Sequence, residues 1–251
     1  MAGKYIETDT RFYKRLLVIA VPVILQSLIT TGVNLVDNIM LGQLTETALS
    51  GSTQANQFIT LYTFVTMGIS MGASVLSSRY WGARDLVSLK KVITIALRFS
   101  LALALCFTAA NVFLPQYIMS LYFQPDAVGE IAAGVTYLRW STGCFVLMAI
   151  SLVLTNILRS MSLSAVPLLA SACAFGINIG ANYVLIFGKL GFPAMGVAGA
   201  ALGTFLARIV ETGVIMVSFF RNQRLRYRLK DILRPCKDLV IEFLRISVPV
   251  M

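Results

Sequence analysis

Residues 16–41 read LLVIAVPVILQSLITTGVNLVDNIML, and this stretch decides which solvent the fold must satisfy. Up to Leu25 it carries no polar side chain. Gln26, Thr30, Asn34, Asp37 and Asn38 then follow at offsets of four, four, three and one, which sets them along one face of a helix. The run exceeds the roughly 20 residues needed to cross the hydrocarbon of a bilayer. An aspartate near mid-bilayer costs about 2.5–3.5 kcal/mol on insertion scales. The stripe is therefore expected to face a protein interior or a wet cavity. Lys4, Arg11, Lys14 and Arg15 precede the run in the manner of a secretory leader. The helical pattern continues past Leu25 with no small-residue cleavage site, so an uncleaved first span is expected.

The rest of the chain repeats the theme. Of its 251 residues 57% are hydrophobic and only 13% charged, with a mean hydropathy of +0.80. A soluble domain is about half apolar and about a quarter charged, so too little polar surface remains here to coat a water-facing globule. Six long apolar runs stand out, over 16–41, 58–76, 92–114, 131–157, 166–187 and 197–220. The expected fold is all-α and integral to the membrane. Residues 1–220 form a lobe of six spanning helices, 221–238 a basic linker, and 239–251 the start of a seventh helix.

The net charge of +10 would suit nucleic acid if it lay on one face of a soluble domain. It does not. Sixteen Lys and Arg fall in loops on one side of the implied topology, and Lys189 alone falls on the other. This positive-inside bias puts the amino terminus in the cytoplasm of a multi-pass protein in the plasma (inner) membrane. Membrane lipid is the expected surrounding, and no nucleic-acid partner is expected. Six crossings return the chain to the side from which it started. There, Leu244-Arg-Ile-Ser-Val-Pro-Val250 matches Leu17-Val-Ile-Ala-Val-Pro-Val23 at five of seven positions. Equal sidedness and similar letters suggest a parallel repeat of six-helix units, an arrangement found among secondary transporters. A second six-helix lobe is then the expected partner.

Depth arithmetic finds neighbours for Asp37. Asn178 and Asn182, an i, i+4 pair in the fifth run, and Thr204 in the sixth share its third of the membrane. A carboxylate, two amide oxygens and a hydroxyl are hard donors suited to Na⁺, with Asp37 the candidate ligand. They could equally surround a carboxylate that takes up a proton, or serve as ordinary interhelical hydrogen bonds. Arg208 and Glu211 stand at i, i+3 in mid-span, close enough for a structural ion pair. Gly68/Gly72, Gly176/Gly180 and Gly199/Gly203 have a spacing that permits close helix approach. Of the four cysteines, Cys106, Cys144 and Cys173 lie in apolar runs as small hydrophobes. The sequence has no histidine and no GxxxxGK[ST] loop. No enzyme activity and no cofactor are expected.

In order and topology, certain segments resemble the amino-terminal half of the multidrug and toxic compound extrusion (MATE) transporters. They are Pro22-(x14)-Asp37-Asn-Ile-Met-Leu-Gly42, Ser78-Arg-Tyr-Trp-Gly-Ala83, Asn178-(x3)-Asn182 and Gly196-Val-Ala-Gly-Ala-Ala-Leu-Gly-Thr204. The resemblance implies a twelve-helix antiporter of two six-helix lobes, exporting organic cations against inward Na⁺ or H⁺. It further implies that Asp37, Asn178, Asn182 and Thr204 hold the coupling cation or proton. Gln26, Thr30, Asn34 and Asn38 would then line the substrate cavity, and Pro22 would be the point where the first span bends. Some members carry a second acid where this chain has Asn182. A proton mechanism relying on two carboxylates does not carry over, whereas one using Asp37 alone does. Two rivals remain: a lipid-linked oligosaccharide flippase, which needs several cations facing its cavity, and a non-transporting membrane subunit or truncated product.

Overall fold

A computed structural model describes residues 10–222, 225, 227, 231 and 237–247. Among them the helices are α1 (Thr10–Gly42), α2 (Glu46–Gly82), α3 (Leu86–Phe113), α4 (Pro115–Ser120), α5 (Val128–Ser141), α6 (Cys144–Ser160), α7 (Ala165–Phe187), α8 (Val197–Phe220) and α9 (Lys237–Ser247). Five of these are each long and apolar enough to cross a membrane, and α5 with α6 makes a sixth span. The chain is an all-α, multi-pass membrane protein.

Two spans differ from their sequence reading. The fourth, expected as one helix over 131–157, is two helices bent by 58°. The break falls at Thr142 and Gly143, where a Cβ on Gly143 would meet the Phe205 ring of α8. Thr142 N–H turns to Arg139 O at 3.4 Å, leaving the Leu138 carbonyl without its helical donor. Two side chains stand in: the Thr142 hydroxyl donates to Leu138 O at 3.1 Å, and fully buried Asn111 of α3 donates through Nδ2 to Leu138 O at 2.7 Å and to Thr142 Oγ1 at 2.9 Å. An unsatisfied carbonyl at membrane depth costs several kcal/mol, which accounts for an asparagine near the end of an apolar helix.

The second span was expected over 58–76, yet α2 runs for 37 residues, about 55 Å at helical rise. Its first turns are polar, so hydropathy misses them. They hold together because Thr45 caps the helix by accepting from Ala48 N at 3.0 Å. The Ser52 and Thr53 hydroxyls each donate to a carbonyl one turn back, at 2.7 Å, so neither is left unsatisfied.

The helices α2, α3 and α6 meet around Tyr62, which is fully buried and donates through its hydroxyl to Phe145 O at 2.8 Å. The rings of Phe58, Phe107 and Phe145 surround it. The α7–α8 pair is drawn together by small residues: a Cβ on Gly199 would strike the Leu185 carbonyl, and one on Gly203 would strike Asn182 Oδ1. Gly176 and Gly180 have no such neighbour within 4 Å, so their equal spacing on α7 is not a packing contact. α1 stands at the edge of the bundle and leaves Leu17, Val18 and Leu28 more than half exposed.

After α8, Tyr227 lies against Phe219 and Phe220 and its hydroxyl is 2.8 Å from Thr94 Oγ1. The helix α9 is held to α2 by Arg79–Glu242 at 3.0 Å and by Tyr80 OH to Glu242 at 3.3 Å. Pro249, on which the repeat alignment turns, and most of the basic linker lie outside the described residues.

Candidate functional site

A cavity of about 670 Å³ is walled by α1, α2 and α5–α8, within the range of about 300–1,000 Å³ typical of small-molecule sites. Gln26, Thr30, Asn34, Asp37 and Asn38 all reach it. Pro22 is not among the lining residues; it sits inside a continuous α1 one turn before Gln26. Having no N–H, it leaves the carbonyl of Val18 without a helical donor.

Facing the α1 stripe is a second one that the sequence reading did not single out. Thr53, Asn56, Gln57, Thr60 and Thr63 of α2 line the same cavity. Their spacing of three and four was the available signal, and Thr53, Asn56 and Gln57 precede the apolar run read as the second span.

The amide cluster stands at one end of the cavity. Asn182 Nδ2 donates to Asp37 Oδ1 at 2.5 Å and lies 3.4 Å from Asn178 Oδ1. Asn178 Nδ2 in turn lies 3.4 Å from Thr204 Oγ1. Residues from α1, α7 and α8 thus converge on a single carboxylate. Both asparagines are buried, and Asn182 Oδ1 has no hydrogen-bond partner. That oxygen is packed against Gly203 of α8, while the amide nitrogen faces Asp37.

At the other end runs a directed relay. Arg159 Nη2 donates to Gln26 Oε1 at 2.7 Å, and Gln26 Nε2 donates to Ser171 Oγ at 2.9 Å. The Ser171 hydroxyl donates to Glu211 Oε1 at 2.9 Å, and Arg208 Nη1 reaches Glu211 Oε2 at 2.6 Å. Arg208 and Glu211 therefore pair within α8 and are tied to three other helices. Arg159, counted in the sequence reading with the loop after the fourth span, instead occupies the last turn of α6 and lines the cavity. Nothing in its sequence context separates it from a loop arginine.

A family model described as MatE matches residues 22–184. The chain belongs to the MatE family. Among its relatives, the probable multidrug resistance protein NorM of Thermotoga maritima is 27% identical over 237 residues, 94% of this chain and 50% of that protein. Solved MATE chains in the bent and the straight conformation superpose with TM-scores of 0.82 and 0.83 at 24% and 23% identity. They cover 95% and 94% of this chain and 52% of their own. The chain thus spans about half the length of the relatives it matches, in line with the amino-terminal half read from its motifs.

Proposed function

We propose that this chain is the amino-terminal lobe of an antiporter that exports organic cations in exchange for Na⁺ or H⁺. The observation that carries the reading is Asp37, a carboxylate with no ion-pair partner among the described residues, bonded by Asn182 on the wall of a drug-sized cavity. The name of the Thermotoga relative supports drug export.

Na⁺ would take the Asp37 carboxylate with oxygens drawn from Asn178, Asn182 and Thr204, all hard donors; a proton would take the carboxylate alone. In either case the bound cation must favour one conformation over another, because a ligand shifts an equilibrium only by its differential affinity. Pro22, which breaks one backbone hydrogen bond inside α1, is the candidate two-state element. On this reading the amino terminus is cytoplasmic in the plasma membrane, and a second six-helix lobe completes the cavity.

The flippase alternative is weaker here. Two cationic side chains line the cavity, Arg159 and Arg208, matched by two acids, Asp37 and Glu211. That balance does not suit a pyrophosphate.

The test is Asp37→Asn in the full-length protein, reconstituted into vesicles with imposed Na⁺ and H⁺ gradients. Uphill efflux of an organic cation should vanish while the protein stays folded and inserted. Efflux at the wild-type rate would move coupling away from this lobe.

A further inference from the structure

We propose that the groove between α4 and α5 binds the phosphate of an anionic phospholipid, with Arg139 as its cation. The leaflet is the outer one on the sidedness proposed above. The site lies apart from the transport cavity and does not depend on what that cavity carries.

Arg139 sits in the last turn of α5, inside the broken fourth span rather than in a loop. Asn111, two residues before the end of α3, fixes its depth by bonding to the carbonyl of neighbouring Leu138. The apolar run of α3 closes at Leu114, so Arg139 stands about one turn inside the border between hydrocarbon and headgroups. Tyr117 and Trp140 are exposed, at 62% and 45%, and these are the side-chain types that belt such a border. Arg139 is exposed as well. Loops on this side of the membrane carry a single cation, Lys189. The positive-inside bias therefore does not account for an arginine here.

Gln116, Tyr117 and Ser120 of α4 line a groove of about 570 Å³ together with Thr136 and Arg139 of α5. Its hydrogen-bonding capacity is lopsided. The Ser120 and Thr136 hydroxyls already donate to Tyr117 O and Ala132 O, each at 2.8 Å. The guanidinium of Arg139, the amide of Gln116 and the phenol of Tyr117 make no ion pair or side-chain hydrogen bond among the described residues. Glu130, the one acid of α5, is nine residues from Arg139, about 13 Å along the helix and out of reach. Unmet donors around a cation suit an anion rich in acceptors. The arginine fork takes phosphate oxygens in pairs, and at this depth a phosphate belongs to a lipid whose chains continue into the hydrocarbon. Phosphatidylglycerol keeps its negative charge. In phosphatidylcholine the trimethylammonium group offsets the phosphate and brings no acceptor.

The test equilibrates the full-length protein in detergent with dioleoyl phosphatidylglycerol and dioleoyl phosphatidylcholine, and native mass spectrometry reads the lipids retained. The wild type should prefer phosphatidylglycerol. That preference should fall at least about tenfold in Arg139→Gln, the scale of a lost charged hydrogen bond, and about threefold in Gln116→Leu. The second variant decides the matter if the first does not fold. Lys189→Gln, which removes the loop cation of the same side, should change nothing. A loss in Lys189→Gln equal to that in Arg139→Gln would mean diffuse surface charge and overturns the proposal. So does a wild type without preference, or an unaltered preference in Arg139→Gln. Displacement of the lipid by an equal concentration of soluble glycerophosphoglycerol would make the ligand a free phosphodiester, and the lipid assignment would fall. If Gln116→Cys in delipidated full-length protein resists maleimide, another part of the protein covers the groove, and the proposal falls with it.

Discussion

Asn182 is seated so tightly against Gly203 that a methyl group at position 203 would overlap its Oδ1. The close approach of α8 to α7 is thereby coupled to the hydrogen bond that Asn182 makes to Asp37. Packing and candidate site share one contact.

Gly203→Ala should therefore lower the melting temperature, with overpacking costs of about 1–3 kcal/mol, and should impair gradient-driven efflux by displacing Asn182. Gly180→Ala, with no atom within 4 Å of the added Cβ, should be neutral or stabilising by up to about 1 kcal/mol. Thermal melts of the two variants in detergent make the comparison. Equal melting temperatures would mean that α8 can shift at no cost.

Asn111→Leu keeps the side-chain volume but removes the donor to the Leu138 carbonyl at the α5–α6 break. The carbonyl then keeps only the Thr142 hydroxyl, at 3.1 Å, and a lost hydrogen bond costs about 0.5–1.5 kcal/mol, so the melting temperature and folded yield should both drop. An unaltered melting curve would show that the break is satisfied by another route.

Glu211→Gln leaves Arg208 without its acid, and breaking a buried pair typically costs about 3–5 kcal/mol. Arg208 keeps some exposure in this lobe, so the lower end is expected. Folded yield should fall more than drug selectivity changes, and adding Arg208→Met should restore part of it. Normal yield with altered selectivity would make the pair part of the binding surface.

Sidedness is tested by single cysteines in a cysteine-free background. Gln43, just after α1, and Val87, at the start of α3, are both exposed. With a cytoplasmic amino terminus, Gln43→Cys should label with an impermeant maleimide added outside intact cells, and Val87→Cys should not. The reverse pattern would invert the topology drawn from charge.

Hydrophobic runs and their charged borders were enough to read an all-α membrane lobe, because lipid forces every backbone donor to pair within its own segment. The stripe on α1 was legible for the same reason: a polar residue in a long apolar run stands out by its cost. Where helices are polar, that contrast is missing. The first turns of α2 therefore hid both the true helix start and Thr53, Asn56 and Gln57 of the second wall of the cavity. The bend between α5 and α6 was invisible because its cause lies elsewhere in the chain, in Phe205 of α8 and Asn111 of α3.

By itself the sequence determined that the chain crosses a membrane in six spans, that Asp37 needs a polar surrounding, and that Asn178, Asn182 and Thr204 lie at its depth. Depth follows from counting residues along helices of fixed rise. Rotation about each axis, and which helix neighbours which, do not follow from counting. Only the tertiary structure decided that Asn182 is the direct donor to Asp37, that Arg159 leaves its apparent loop for the cavity wall, and that Gln26 and Ser171 link it to Glu211. Those pairings depend on side chains from separate helices meeting within hydrogen-bond distance, which the packing of the whole bundle fixes and no single segment encodes.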